Sequence, residues 1–139
     1  MLGRFTTRLL DKFMATQLFT YSLYSGDVIP LTLNFYQADG KTPLDLTGIV
    51  IGCTVKLNNT APDSSAIFQQ DTAGGTTGVI SYVIPGLAPA SYWIDVKWWN
   101  TAQNNARQTV VGSSQFVVNQ SITQRSVPVT TRISLVQAA

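Results

Sequence analysis

Residues 92–100 read Tyr92-Trp93-Ile94-Asp95-Val96-Lys97-Trp98-Trp99-Asn100. Taken with period two they split into two rows. Tyr92, Ile94, Val96 and Trp98 are apolar throughout, whereas Trp93, Asp95, Lys97 and Trp99 set two charges between two indoles. Successive side chains of a strand point to opposite faces, so this alternation predicts a half-buried β-strand with the first row in a core. The second row is the unusual one, because outward tryptophans expose apolar surface that ordinarily touches something.

The same period recurs on either side. Ile29, Leu31, Leu33 and Phe35 alternate with Pro30, Thr32, Asn34 and Tyr36, and Pro30, which has no N–H to donate, belongs near the start of that strand or on an edge. Over residues 49–57, Ile49, Ile51, Cys53, Val55 and Leu57 point one way, which makes Cys53 a small core hydrophobe. Residues 16–25 read as a first or edge strand, residues 66–70 as a short strand, residues 71–78 as a turn and residues 79–84 as a strand. Residues 107–118 read as a long strand bent or bulged near Gly112. Turns fall at Gly26-Asp27, Asp39-Gly40, Gly74-Gly75 and Pro85-Gly86, and residues 58–65 form a polar loop. About seven or eight short strands with regular turn signals predict an all-β, antiparallel β-sandwich over residues 16–118. Tyr92 follows Leu87 and Pro89 at the head of the penultimate strand. That is the placement of the tyrosine corner of immunoglobulin-like sandwiches, whose hydroxyl bonds upstream backbone; an ordinary core tyrosine is the equal alternative.

Two terminal arms flank this body. In residues 1–15, Leu2, Phe5, Leu9 and Phe13 recur at spacings of three and four, which suits a short amphipathic helix or an arm docked on a partner. Residues 119–139 read as an extended arm. The charge follows the same division. Residues 1–15 carry Arg4, Arg8 and Lys12 against Asp11, a net of +2; residues 16–118 carry four bases and six acids, a net of −2; Arg125 and Arg132 give the last segment +2. Basic arms on a slightly acidic body suit contacts with acidic surfaces of neighbours. The total of +2 gives no reason to expect direct nucleic-acid binding.

The chemical inventory is thin. There is no His, and each of the seven acids is an Asp. Acid–base chemistry near neutral pH draws mainly on His or on carboxylates with shifted pKa, and most of these Asp sit in turn signals, so no enzyme activity is expected. One Cys without His gives no zinc set, no EF-hand spacing is present, and no glycine-rich phosphate loop precedes a helix, so no metal or cofactor is expected. No apolar run reaches membrane-spanning length, and no apolar run of seven follows the N-terminal charges, so neither a membrane span nor a secretory signal is expected.

Gly26-Asp27, residues 29–36 and the run Asp39-Gly40-Lys41-Thr42-Pro43-Leu44-Asp45-Leu46-Thr47-Gly48 resemble the small immunoglobulin-like β-sandwich modules of tailed-bacteriophage virions. These include the N-terminal domain of the phage baseplate upper protein family and related tail, neck and head-fibre modules. Gly78-Val79-Ile80, Leu87 to Val96, and Gln115-Phe116-Val117-Val118 continue the resemblance, which covers about residues 24–120 and leaves both arms unmatched. It implies no catalytic residues. It implies a virion structural role, with docking on tail, baseplate or neck proteins in multi-copy homo- and hetero-oligomeric assemblies put together in the host bacterial cytoplasm. A capsid decoration protein on the phage head is a close rival. A carbohydrate-binding module that stacks sugars on Trp93 and Trp99 is the alternative of another class. The candidate partner contacts are Arg4, Phe5, Arg8, Leu9, Lys12, Phe13, Trp93, Trp99, Arg125 and Arg132.

Overall fold

The computed structural model describes residues 19, 22–102, 107–120 and 130–136. In chain order its strands are β1 (Leu23–Tyr24), β2 (Ile29–Tyr36), β3 (Ile49–Lys56), β4 (Phe68–Ala73), β5 (Val79–Ile84), β6 (Ala90–Asn100), β7 (Gln108–Asn119) and β8 (Thr131–Val136), with a 3-10 turn at Asp63–Ser65. They form an all-β sandwich of two sheets. One has the order β1-β7-β6-β3-β4 and the other β5-β2-β8. No helix among the described residues is long and apolar enough to cross a membrane.

The inner rows are those the alternation predicts. Ile29, Leu31, Leu33 and Phe35 of β2 are buried, as are Ile49, Ile51, Cys53 and Val55 of β3 and Tyr92, Ile94, Val96 and Trp98 of β6. Leu44, Leu46 and Leu87 close the core from the connecting loops. Two tyrosines enter this apolar layer with their hydroxyls satisfied. Tyr82 on β5 donates to the Ile51 carbonyl at 2.7 Å and so pins one sheet to the other. Tyr92 donates to the Ala88 carbonyl at 2.6 Å, the upstream backbone bond expected of a tyrosine corner, and its ring stacks on Phe116 at 5.5 Å. Burial pushes the Cys53 thiol up to about 12, as befits a core side chain rather than a nucleophile.

Four of the strand pairings are antiparallel, as expected: β2–β5, β3–β4, β3–β6 and β6–β7. Two are parallel and correct the expectation of a purely antiparallel sandwich. β1 lies along β7 with Leu23 opposite Val118, and β8 lies along β2 from Leu31 opposite Thr131 to Tyr36 opposite Val136. β1 opens the described body and β8 belongs to the C-terminal segment; each pairs with a strand distant in sequence, so neither needs a tight turn. The second also corrects the reading of residues 119–139 as an arm outside the body. Thr131 and Leu135 are buried and Ile133 packs against the core, so β8 is a stave of the smaller sheet. Pro30 sits second in β2, one residue before β8 begins, where its missing N–H costs that pairing nothing.

Smaller departures have local causes. β4 runs to Ala73, past the expected turn start at Asp71, because its register on β3 continues to Ala73 opposite Val50. Leu57, expected inward, is 55% exposed, since β3 ends at Lys56 and the chain turns away. Of the expected strand over residues 16–25, the described part in strand is Leu23–Tyr24, with Phe19 buried edge-on against Phe116. The expected bulge in β7 is present. Against β6, β7 carries one extra residue between Ile94 and Val96 and another between Val96 and Lys97. A single slip would turn the rest of the strand inside out, and the second restores it, so Val110, Phe116 and Val118 all face the core. The helical or arm reading of residues 1–15 lies outside the described residues, as do Arg4, Phe5, Arg8, Leu9, Lys12, Phe13 and Arg125.

Candidate binding site on the outer face of the larger sheet

The second row of β6 lies on the outer face of the five-stranded sheet, between β7 and β3. Strand register sets its neighbours. Trp93 stands between Lys56 and Gln115, Asp95 beside Thr54, Lys97 between Gly52 and Thr109, and Trp99 beside Val50. Lys97 donates to Thr109 Oγ1 at 3.0 Å.

The two candidate tryptophans have different fates. Trp99 is 7% exposed, which makes it a packed residue rather than an open platform. Gly52 makes room for it: a Cβ there would stand 3.0 Å from Trp99 Cζ3 and 2.7 Å from Asp71 Oδ1. The Arg107 guanidinium lies 4.3 Å from the Trp99 ring centroid and gives the indole a cation–π partner. Trp93 is half-buried and remains accessible. Arg132 is exposed on β8, in the other sheet, and shares no surface row with either indole.

A loop forms a wall beside Trp93. Lys56, at the end of β3, donates to the Ala61 carbonyl and to Asp63 Oδ1, both at 2.7 Å. Asn58 Oδ1 accepts from the Thr60 N–H at 3.0 Å and from its hydroxyl at 2.9 Å, closing an Asx turn. The loop is thereby tied to the sheet. Together they bound a shallow, open depression lined by Thr54, Lys56, Asn59, Trp93, Ile94 and Asp95.

Electrostatics divide the two acids near this depression. The Lys56 hydrogen bond, reinforced by its charge, holds the exposed Asp63 carboxyl below the usual carboxylate range. Burial pushes Asp95 the other way, and the charges of Lys97 and Lys56 only partly oppose it. The remaining Asp side chains with shifted pKa serve turns. Asp39 is held low by the Thr42 hydroxyl and by the N–H groups of Thr42 and Lys41, and Asp45 by the Thr47 hydroxyl and N–H. Among the described residues no three His, Cys, Asp or Glu side chains gather as a metal site. What the depression offers is an aromatic surface, a half-buried carboxylate, an amide, a hydroxyl and an ammonium group. These are the parts of a reversible binding site for a small polar ligand.

The place of Trp93 on the outer row of β6 was legible in the sequence. Thr54, Lys56, Asn59 and Asp95 were not singled out there, because what brings them together is the pairing of β3 with β6. That pairing sets Lys56 opposite Trp93 across 37 residues of chain.

No protein-family model matches the chain, and no curated protein matches it. Among solved structures, the dioxygenase domain of a dioxygenase carbohydrate-binding protein fusion from the cellulolytic bacterium Streptomyces sp. SirexAA-E is similar. It aligns over 92% of this chain and 90% of that chain, with 15% identity and a TM-score of 0.46. A likeness of that degree says nothing about what this chain binds or does.

Proposed function

We propose that this chain is a structural component of a tailed-phage virion: an immunoglobulin-like module that docks on tail, baseplate or neck proteins through its terminal segments. The observation that carries the reading is that several of the body's reactive groups serve the fold. Asp39 and Asp45 close turns, Asp63 holds Lys56, and Cys53 is a core side chain with its thiol pushed up to about 12. Such a body contributes shape and surface.

Two further features support it. The stretch that resembles phage sandwich modules spans nearly all of β1 to β7 and leaves out β8. The Tyr92 bond to Ala88 and the parallel placement of β1 on β7 suit an immunoglobulin-like sandwich. Basic terminal segments on a slightly acidic body suit electrostatic docking between copies or onto neighbours.

The test is incorporation into particles. Deleting residues 1–15 leaves every described strand intact. The truncated chain is expected to fold, to show an unchanged urea midpoint, and to be missing from purified particles. Particles that take up the truncated chain at the wild-type level refute the role assigned to that segment. Labelling of the incorporated wild-type chain separates a tail, baseplate or neck position from decoration of the head. Deletion of residues 119–139 is unsuitable as a companion test, because it removes β8 and leaves β2 unpaired on one side.

A further inference from the structure

We propose that the depression between Trp93 and the loop tied down by Lys56 is a binding subsite for one pyranose ring of a neutral glycan. This goes beyond the virion role and stands without it.

Sugar rings are recognised by two complementary surfaces. Their C–H faces lie on aromatic rings, and their hydroxyls exchange hydrogen bonds with carboxylate, amide and hydroxyl groups placed beside that ring. The depression supplies both within one cleft. Trp93 gives the aromatic surface, Asp95 a pair of acceptor oxygens, Asn59 donors and an acceptor, and Thr54 a hydroxyl. No hydrogen bond or ion pair among the described residues engages the Asp95 carboxylate. A half-buried charge gains from hydroxyl donors, and vicinal sugar hydroxyls present two of them.

The loop wall is already set by the Lys56 bonds to Ala61 and Asp63, so little ordering is needed when a ligand enters. Charge argues for a neutral ligand. Lys56 is paired with Asp63, and Lys97 stands next but one to Asp95 on the same face of β6, so no single sign dominates. Size argues for one ring, because the second indole of the row, Trp99, is packed beneath Arg107 and offers no further stacking surface. A shallow one-ring site implies a dissociation constant on the order of 1–10 mM.

The experiment is an amide and indole NMR titration of the full-length protein. The probes are methyl α-D-glucopyranoside, methyl α-D-galactopyranoside, methyl α-D-mannopyranoside and N-acetylglucosamine, with tetramethylammonium chloride and glycerol as controls. At least one sugar is expected to shift the Trp93 indole resonance and the backbone of Asn59 and Asp95, with saturation in the millimolar range. Trp93→Ala is expected to abolish the shifts, and Asp95→Asn to weaken binding by about tenfold or more. Asn59→Ala, on an exposed loop, is expected to weaken it about threefold with the rest of the spectrum unchanged, which separates loss of the site from loss of the fold. Three outcomes overturn the proposal: no response to any of the four sugars, a response that survives Trp93→Ala in folded protein, or tighter binding of tetramethylammonium than of any sugar. None of these depends on particle incorporation, so the two proposals fail separately.

Discussion

At the scale of single residues, Asp95 shows how a carboxylate can oppose the fold it belongs to. Burial raises its pKa above the unfolded value, whereas hydrogen bonds lower those of Asp39, Asp45 and Asp63. The signs follow from proton linkage. For Asp95 the folded state binds more protons within the window above the usual carboxylate value, so its ionisation reduces stability as pH rises through that window. For the other three, the stabilisation is present above the unfolded pKa and is lost as pH falls through the folded pKa. Asp95→Asn removes the first contribution and leaves the other three. The stability of the variant relative to the wild type is therefore expected to increase as pH rises above the usual carboxylate range, read from urea midpoints at each pH. A difference that stays constant with pH would show that Asp95 is not desolvated in the folded protein.

At the scale of elements, the contact of β3, β4 and β6 around Gly52 fixes where Trp99 sits. A side chain at Gly52 meets Asp71 Oδ1 at 2.7 Å and the Trp99 ring at 3.0 Å. The carboxylate tip can swing aside, but the indole is flanked by Arg107 and must be pushed out. Gly52→Val is expected to destabilise the protein by about 1–3 kcal/mol, and combining it with Trp99→Leu is expected to recover most of that loss. Additive losses in the double variant would refute the contact. The same region marks how far local sequence reading reaches. Alternation over residues 29–36, 49–55 and 92–98 is a property of a few consecutive residues, and it set the inner rows correctly. The burial of Trp99 depends on a glycine 47 positions earlier, brought opposite by register. Leu57 kept the alternation of its strand, but the strand ended one residue before it. Period reports the faces of a strand; it does not report where pairing stops or what stands opposite.

At the scale of the whole molecule, the sandwich is completed by the segment that local pattern placed outside it. Residues 131–136 alternate weakly, with Ser134 and Arg132 facing out, and their partner β2 lies 100 residues earlier, Leu31 to Thr131. No local signal announces such a pairing. Leu135 is 3% exposed and sits opposite Phe35. Leu135→Ala is therefore expected to cost about 2–4 kcal/mol, seen as a lower urea midpoint with an unchanged slope. A loss below about 0.5 kcal/mol would mean that β8 is an appended arm after all.

The parallel pairing of β8 on β2 also sets a schedule for synthesis. A ribosome adding about 5–20 residues per second needs about 5–20 s to pass from Leu31 to Thr131. Once β5 has been made, and until β8 follows, β2 has β5 on one side and an open row of backbone donors and acceptors on the other, beside Leu31, Leu33 and Phe35. The nascent chain must carry a half-built sheet through the time when other strands, its own or a neighbouring polysome's, can add to that edge. Expression yield should then respond to chaperone supply and to translation rate more than the equilibrium stability of the finished sandwich suggests.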